Sequence, residues 1–249
     1  MNAPTAIVRV TSRNVLGLRR LMGFGLLSLV PGVIFILATR SDTDFGKAET
    51  FTAISLAVFL PIVVPIITVV ISSSVLGSER RGDTLSFLML RPLSRYSIAA
   101  AKLASAIVAS FAITAAGALL LGFFASLALN DFGYLSSLLV ATLITTAGYA
   151  AVFMPLGYLT ERATLIGFIY IFVWERVATA VEGLAGTSLF HIGATALVGL
   201  GPAGLDINTI EDNIGSLTPG AGGAAVKMLV VAGISILFTG WLLRTRDLT

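Results

Sequence analysis

No cysteine occurs in the 249 residues, which excludes disulfides, iron–sulfur clusters and thiolate metal sites. Histidine is nearly absent too: His191 stands alone, and a single imidazole with no second His or Cys makes a poor metal site and cannot serve metalloprotease chemistry. Charge is the third scarcity. Only 12% of the residues are Asp, Glu, Lys or Arg, against about 25% in a soluble domain. With 56% hydrophobic residues and a mean hydropathy of +0.96, the chain could not cover its own surface against water, and it belongs in a bilayer. There is no Gly-x-x-x-x-Gly-Lys-Ser/Thr phosphate loop and no Gly-x-Ser-x-Gly nucleophile turn. The long apolar runs contain one carboxylate, Glu175, where aspartyl chemistry needs two. These absences argue against an enzyme and against any cofactor bound by this chain.

What is present is long apolar runs. A bilayer core about 30 Å thick takes about 20 apolar residues in helix. Six spans meet that measure: 21–39, 54–76, 98–129, 134–159, 164–181 and 226–243. The third is too long for one straight crossing, so it is expected to tilt or to include an interfacial turn near Ala99–Lys102. Residues 5–20 form a basic amphipathic stretch, with Arg9, Arg13 and Arg20 on one side of a helical wheel and Ile7, Val10 and Leu18 opposite, which suits the membrane–water interface. No cleavable signal peptide is evident there, and the first apolar run is expected to be a retained anchor. The fold class is therefore all-α, a polytopic membrane protein with one transmembrane domain over residues 1–249.

Orientation follows from the basic residues. With the N-terminus in the cytoplasm, twelve of the sixteen fall on the inner side, from Arg9 through Arg80, Arg81, Arg91, Arg95 and Lys102 to Arg246, which is the bias of the positive-inside rule. Both termini are thus expected to be cytoplasmic, in the cytoplasmic membrane of the cell. The loop 182–225 is then external and rich in glycine. Its middle, Thr187 to Leu200, stays apolar and is expected to form short helices dipping into the outer interface.

The densest charge lies between the second and third spans, in the cytoplasmic loop 78–97. Gly82 can break the helix leaving the membrane, Asp83 or Thr84 can cap a new one over Leu85–Arg91, and Pro92 can close it. Leu85, Leu88 and Met89 share one side of that short helix, where no lipid is available, so a protein groove is their natural home. Glu79, Arg80, Arg81, Arg91 and Arg95 give the apolar tip a polar rim.

The run Glu79-Arg80-Arg81-Gly82-Asp83-Thr84-Leu85, with Leu88, Arg91-Pro92-Leu93-Ser94-Arg95 and Lys102 downstream, resembles the signature loop of permease subunits of ABC transporters of the type-2 exporter class. The chain departs from that pattern by inserting Asp83 between Gly82 and Thr84. The resemblance implies a coupling helix that inserts into a cleft of a separate ATP-hydrolysing subunit. Glu79 would face a basic residue there, and Leu85 and Leu88 would fill the cleft. It further implies two copies of that subunit with ATP and Mg bound in them, and a second permease subunit, with a homodimer favoured. Nucleic acid is not an expected partner, whereas membrane lipid is.

Polar residues inside the spans are few. Thr68 and Ser72 in the second and Thr145 and Tyr149 in the fourth are most simply interhelical glue, and otherwise a weakly polar pathway for an amphipathic substrate. Glu175, beside Arg176, is placed near the outer end of the fifth span. As an ionisable group in a span it is a pathway candidate, while Trp174 would serve as an interfacial anchor. Two other readings stand beside the exporter. A membrane scaffold would dock a cytoplasmic partner without opening a pathway, and an ion-coupled transporter would show buried charge and inverted repeats, neither of which is evident.

Overall fold

The computed structural model describes residues 18–40, 46–81, 94–180, 184–202, 205 and 220–245. The interfacial stretch 5–17 and the loop residues 82–93 lie outside them. Among the described residues there is no strand, and the helices pack side by side as the composition requires.

Among the described residues, five helices are long and apolar enough to cross a bilayer. The first is α1 (Leu18–Ala38), which carries Pro31 in its interior. The second is one continuous rod built from α2 (Lys47–Ile54), a π-helical segment (Ser55–Val63) and α3 (Val64–Arg81). Pro61 lies in the π segment. A proline lacks the N–H of an i→i−4 bond and crowds the carbonyl one turn back, and the wider π turn accommodates both without ending the helix. Its wider pitch shows where the amide of Val64 reaches back five residues to Phe59.

The third is α4 (Arg95–Leu129), 35 residues without interruption. The interfacial turn expected at Ala99–Lys102 is absent. Ser94 caps the helix upstream, accepting from the Ser97 amide at 3.1 Å, and the run Ala99-Ala100-Ala101 is the strongest helix former available. Asn130 ends α4 in the left-handed conformation, φ 53°. The remaining two are α5 (Gly133–Leu159) and α9 (Gly220–Thr245), the latter starting six residues before the expected boundary.

The expected fifth span, 164–181, is not a sixth such helix. It is a helical run in three pieces: α6 (Ala163–Ile169), a π segment (Tyr170–Trp174) and α7 (Glu175–Ala180). A 3₁₀ turn (Ala185–Thr187) then leads into α8 (Leu189–Leu200). The sequence placed this stretch at the outer interface. Instead α8 is buried from Leu189 to Leu197 and packs against α5 and α9. Its apolar residues on every side suit a core position better than an interface with one wet face.

Helices in lipid have little hydrophobic drive to associate, so close packing and hydrogen bonds decide their contacts. At Gly117 a Cβ would sit 2.0 Å from the Ser28 carbonyl oxygen, and the Ser28 hydroxyl donates to the Ile113 carbonyl at 2.9 Å, which seats α1 on α4. At Gly157 a Cβ would sit 2.1 Å from the Ser73 carbonyl oxygen, closing α5 on α3. Ser73 and Thr164 share a hydrogen bond of 3.0 Å, tying α6 to α3, and Ser235 donates to Ala151 at 2.5 Å, tying α9 to α5. Gly157→Val should therefore lower the stability of the detergent-solubilised chain by about 1–3 kcal/mol, the cost of overpacking a tight contact. Gly23→Val, where nothing lies within 4 Å, should leave it unchanged; thermal unfolding of both variants checks the pair.

Candidate functional site: a carboxylate at a helix start inside the membrane

The most polar buried cluster forms where α7, α5 and α8 meet. Glu175, 4% exposed, sits at the first position of α7 with its carboxylate turned into the protein. One oxygen accepts from the Tyr149 hydroxyl at 2.6 Å and from the backbone amides of Leu189 at 3.1 Å and Phe190 at 3.3 Å. The other accepts from the Ser188 hydroxyl. Ser188 in turn caps α8, accepting from the His191 amide at 3.0 Å. The first amides of a helix have no partner within it, and the aligned peptide dipoles make that end positive. Here the N-cap serine answers one of these amides and a carboxylate from another helix answers two more. An anion at a helix N-terminus is the expected complement.

Aromatic rings close the cluster. Tyr149 stacks on Phe153 at 6.2 Å between centroids, and Tyr170 meets both edge-on, at 6.2 Å from Tyr149 and 5.6 Å from Phe153. The rings seal the carboxylate within an apolar shell. His191, expected in an external loop, is buried at 3% exposure in α8 with Thr195 Oγ1 3.5 Å from its Nδ1. Among the described residues no group of three His, Asp or Glu side chains converges as a metal site would require.

The cluster is deep. At 1.5 Å per residue, Tyr149 lies about 24 Å along α5 from Gly133 and about 15 Å from Leu159. The run α6–α7 starts beside Ser73 at the Leu159 end of α5 and reaches this level at Glu175. Helix α8 starts at the same level, where a Cβ on Gly148 would be 3.7 Å from Leu189, and ends where Pro202 approaches Gly133. Thus α8 covers only the Gly133 half of α5. Glu175 and Trp174 accordingly lie at the level of Tyr149, toward the far end of the run α6–α7 from Thr164.

The other sequence candidates separate into two groups. Thr68, Ser72 and Thr145 are all buried and donate to carbonyls of their own helices, at 2.7 Å to Val64, 3.4 Å to Val69 and 2.7 Å to Ala141. Thr145 also receives Gly193 of α8 against its hydroxyl. Of the five pathway candidates, Tyr149 and Glu175 are joined by a hydrogen bond across helices. In the loop, Glu79, Arg80 and Arg81 extend α3 as helical backbone, and Arg95 opens α4 half-buried, with its Nη1 enclosed and without a hydrogen bond. Asp83, Thr84, Leu85, Leu88 and Arg91 lie outside the described residues. Ser188 was missed by the sequence reading, although a serine directly before the apolar run Leu189–Leu200 is an N-cap signature.

This architecture, apolar helices packed side by side around a broken segment, is that of a multi-pass membrane protein. A family model described as ABC-2 family transporter protein matches residues 18–174, well over half of the chain, and the chain belongs to this family. It is thus a permease component of an ABC transporter, a class that in general associates with an ATP-binding subunit. No curated protein matches the chain closely enough to count.

Losing the acid should be felt as a unit. Glu175→Gln presents an amide N–H₂ to a ring of donors and should destabilise the purified chain by about 1.5–3 kcal/mol, the usual range for hydrogen bonds to a charged group. Ser188→Ala should cost about 1 kcal/mol alone. Because the two share the α8 start, the double variant should fall short of the sum by more than about 0.5 kcal/mol; additive losses in thermal or denaturant unfolding would contradict the shared cap.

Proposed function

We propose that the chain is the membrane subunit of an ATP-driven exporter, carrying substrate across the cytoplasmic membrane on work done by a separate ATPase. The family match carries this reading, and the sequence adds its reason: with no phosphate loop of its own, the chain needs nucleotide chemistry from a partner. Two ATPase subunits with ATP and Mg, and a second permease chain as a homodimer, complete the proposed assembly. This chain is its non-catalytic part.

Coupling is assigned to residues 78–97, facing the cytoplasm together with both termini. Glu79, Arg80, Arg81, Asp83, Thr84, Arg91 and Arg95 would rim the docking tip, and Leu85 and Leu88 would enter the ATPase cleft. The support is positional. The loop joins the ends of α3 and α4, two long helices that both lie within the matched residues, and α3 also holds α5 through Gly157 and α6 through Ser73. Closure of two ATPase subunits would then move the helices as rigid bodies between inward- and outward-open states. In this reading Thr145, packed against Gly193 of α8, helps hold those bodies together, Thr68 and Ser72 bond within their own helix, and Tyr149 and Glu175 fix the broken segment beside the path.

Co-purification tests the docking. Glu79→Ala and Leu85→Asp should each release the co-expressed phosphate-loop ATPase while leaving the chain's own thermal unfolding unchanged; retention of the ATPase by both variants would end the coupling assignment. Reconstituted vesicles test the rest: ATP-dependent substrate movement by the complex supports the exporter, and none with the ATPase still docked would leave a scaffold.

A further inference from the structure

Helix α4 meets the last span in its own first turn. Ser94 caps α4, accepting from the Ser97 amide at 3.1 Å and pairing with the Ser97 hydroxyl at 2.7 Å, so the helix is fixed in register as the chain leaves the loop 78–97. Tyr96, the second residue of that turn, lies against Gly240 near the end of α9. A Cβ on Gly240 would come within 3.0 Å of three atoms of the Tyr96 ring, so any larger residue would displace it.

Helix α9 is gripped at three levels. Gly199 of α8 lies on Ala221, the Ser235 hydroxyl donates to the Ala151 carbonyl of α5 at 2.5 Å, and Gly240 receives Tyr96 of α4. Elsewhere α9 is open, with Ile234 61%, Leu237 64% and Trp241 53% exposed. The gap at Gly240 is one residue long. One turn before it on the same flank stands Ile236, half-buried, and one turn after it Leu243, 4% exposed. A ring seated between two bulky positions cannot slide along α9 without riding over one of them, so the contact transmits displacement in both directions. Thr239 beside it is fully buried with its hydroxyl unanswered, although Thr68, Thr142, Thr145 and Thr195 each donate to the carbonyl four residues back. Packing that served stability alone would not leave that donor unpaired.

Resting on the transport reading above, we propose that Tyr96 is a positioning residue of the coupling machinery, whose ring, seated on Gly240, carries displacement of the loop into the last span. The work of the ATPase then reaches α9 by direct contact, and α9 moves with the helices that bear the loop. The aromatic ring does this by its bulk, so the hydroxyl of Tyr96 is dispensable and the ring is not.

The chain has no cysteine, so a fluorescent label goes only where one is introduced. Val108→Cys, at a position 53% exposed on α4, and Leu237→Cys, at one 64% exposed on α9, are each labelled with bimane in the full-length chain. The labelled chain is then joined to the phosphate-loop ATPase in nanodiscs, and bimane emission is read with and without ATP and Mg. Both labels should respond in the parent complex. Tyr96→Ala should keep the ATPase bound and the α4 response intact while reducing the α9 response by about fivefold or more, the lower end of typical coupling between sites. Gly240→Ala, which pushes the ring out with one methyl group, should act in the same direction, and Tyr96→Phe should behave as the parent. Ser235→Ala loosens α9 at its other contact and should leave the α9 response in place. A full α9 response in both Tyr96→Ala and Gly240→Ala overturns the relay, as does an equal loss in Ser235→Ala, which would mark general loosening of the helix. A parent complex in which α4 responds and α9 does not also discards the relay, and leaves the exporter reading intact. An ATPase that never co-purifies, or that binds without moving either label, discards the exporter reading and the relay with it.

Discussion

A carboxylate accepting from the first amides of another helix, deep in an apolar layer, is the contact on which the second half of this chain depends. Water cannot satisfy a backbone group at that depth, so a chain that stops being helical there must supply partners from within the protein. The break between α7 and α8 frees amides at the start of α8, and Glu175 and Ser188 answer them. The dependence is mutual. Without the break, Glu175 would lose the Ser188 hydroxyl and the two α8 amides that answer it; without Glu175, the break would leave donors unpaired at a cost of about 1–3 kcal/mol each.

The rest of the bundle is held by milder means of the same kind. Hydroxyls of Ser28, Ser73 and Ser235 bridge to neighbouring helices, and glycines at 117, 157 and 193 let backbones or small side chains approach where any Cβ would collide. These contacts fix which helices travel together. The apolar outer faces of α1 and α9, with Leu26 at 69% and Leu229 at 67% exposed, carry no such constraint and present lipid-like surface. The two π segments differ again. Each keeps a helix continuous while loosening its pitch, at Pro61 in one case and directly before Glu175 in the other.

Hydropathy made most of the fold legible. The boundaries of α1, α4 and α5 fall within a few residues of the apolar runs, because a helix crossing lipid must be apolar for its whole length and charged or glycine-rich where it leaves. What escaped were features that depend on depth. The run Thr187–Leu200 is equally apolar as an interfacial helix or a buried half-span, and only its contacts with Thr145 and Ala221 distinguish them. Glu175 was legible as unusual, but its level could not be read, since counting residues from Thr164 assumes one uninterrupted crossing. The turn expected in α4 failed for a different reason: 35 residues exceed a straight crossing, yet nothing requires a helix to end where the lipid does. The loop motif at Glu79–Lys102 was the most informative stretch for kinship.

The separation of scaffold from surface in α6–α7 follows from these constraints. This segment touches α3 through Thr164 and Gly167, α5 through the Tyr170 ring, and α8 through Glu175. Its inner flank is thereby committed to three neighbours, and a rigid displacement of α3 carries α6 with it unless the Ser73–Thr164 bond and the Gly167–Val69 contact break. Its outer flank, from Leu165 at 56% exposure to Val177 at 44%, is committed to none of them. A charge on the inner flank must be neutralised by fixed protein groups and so becomes structural, as Glu175 has.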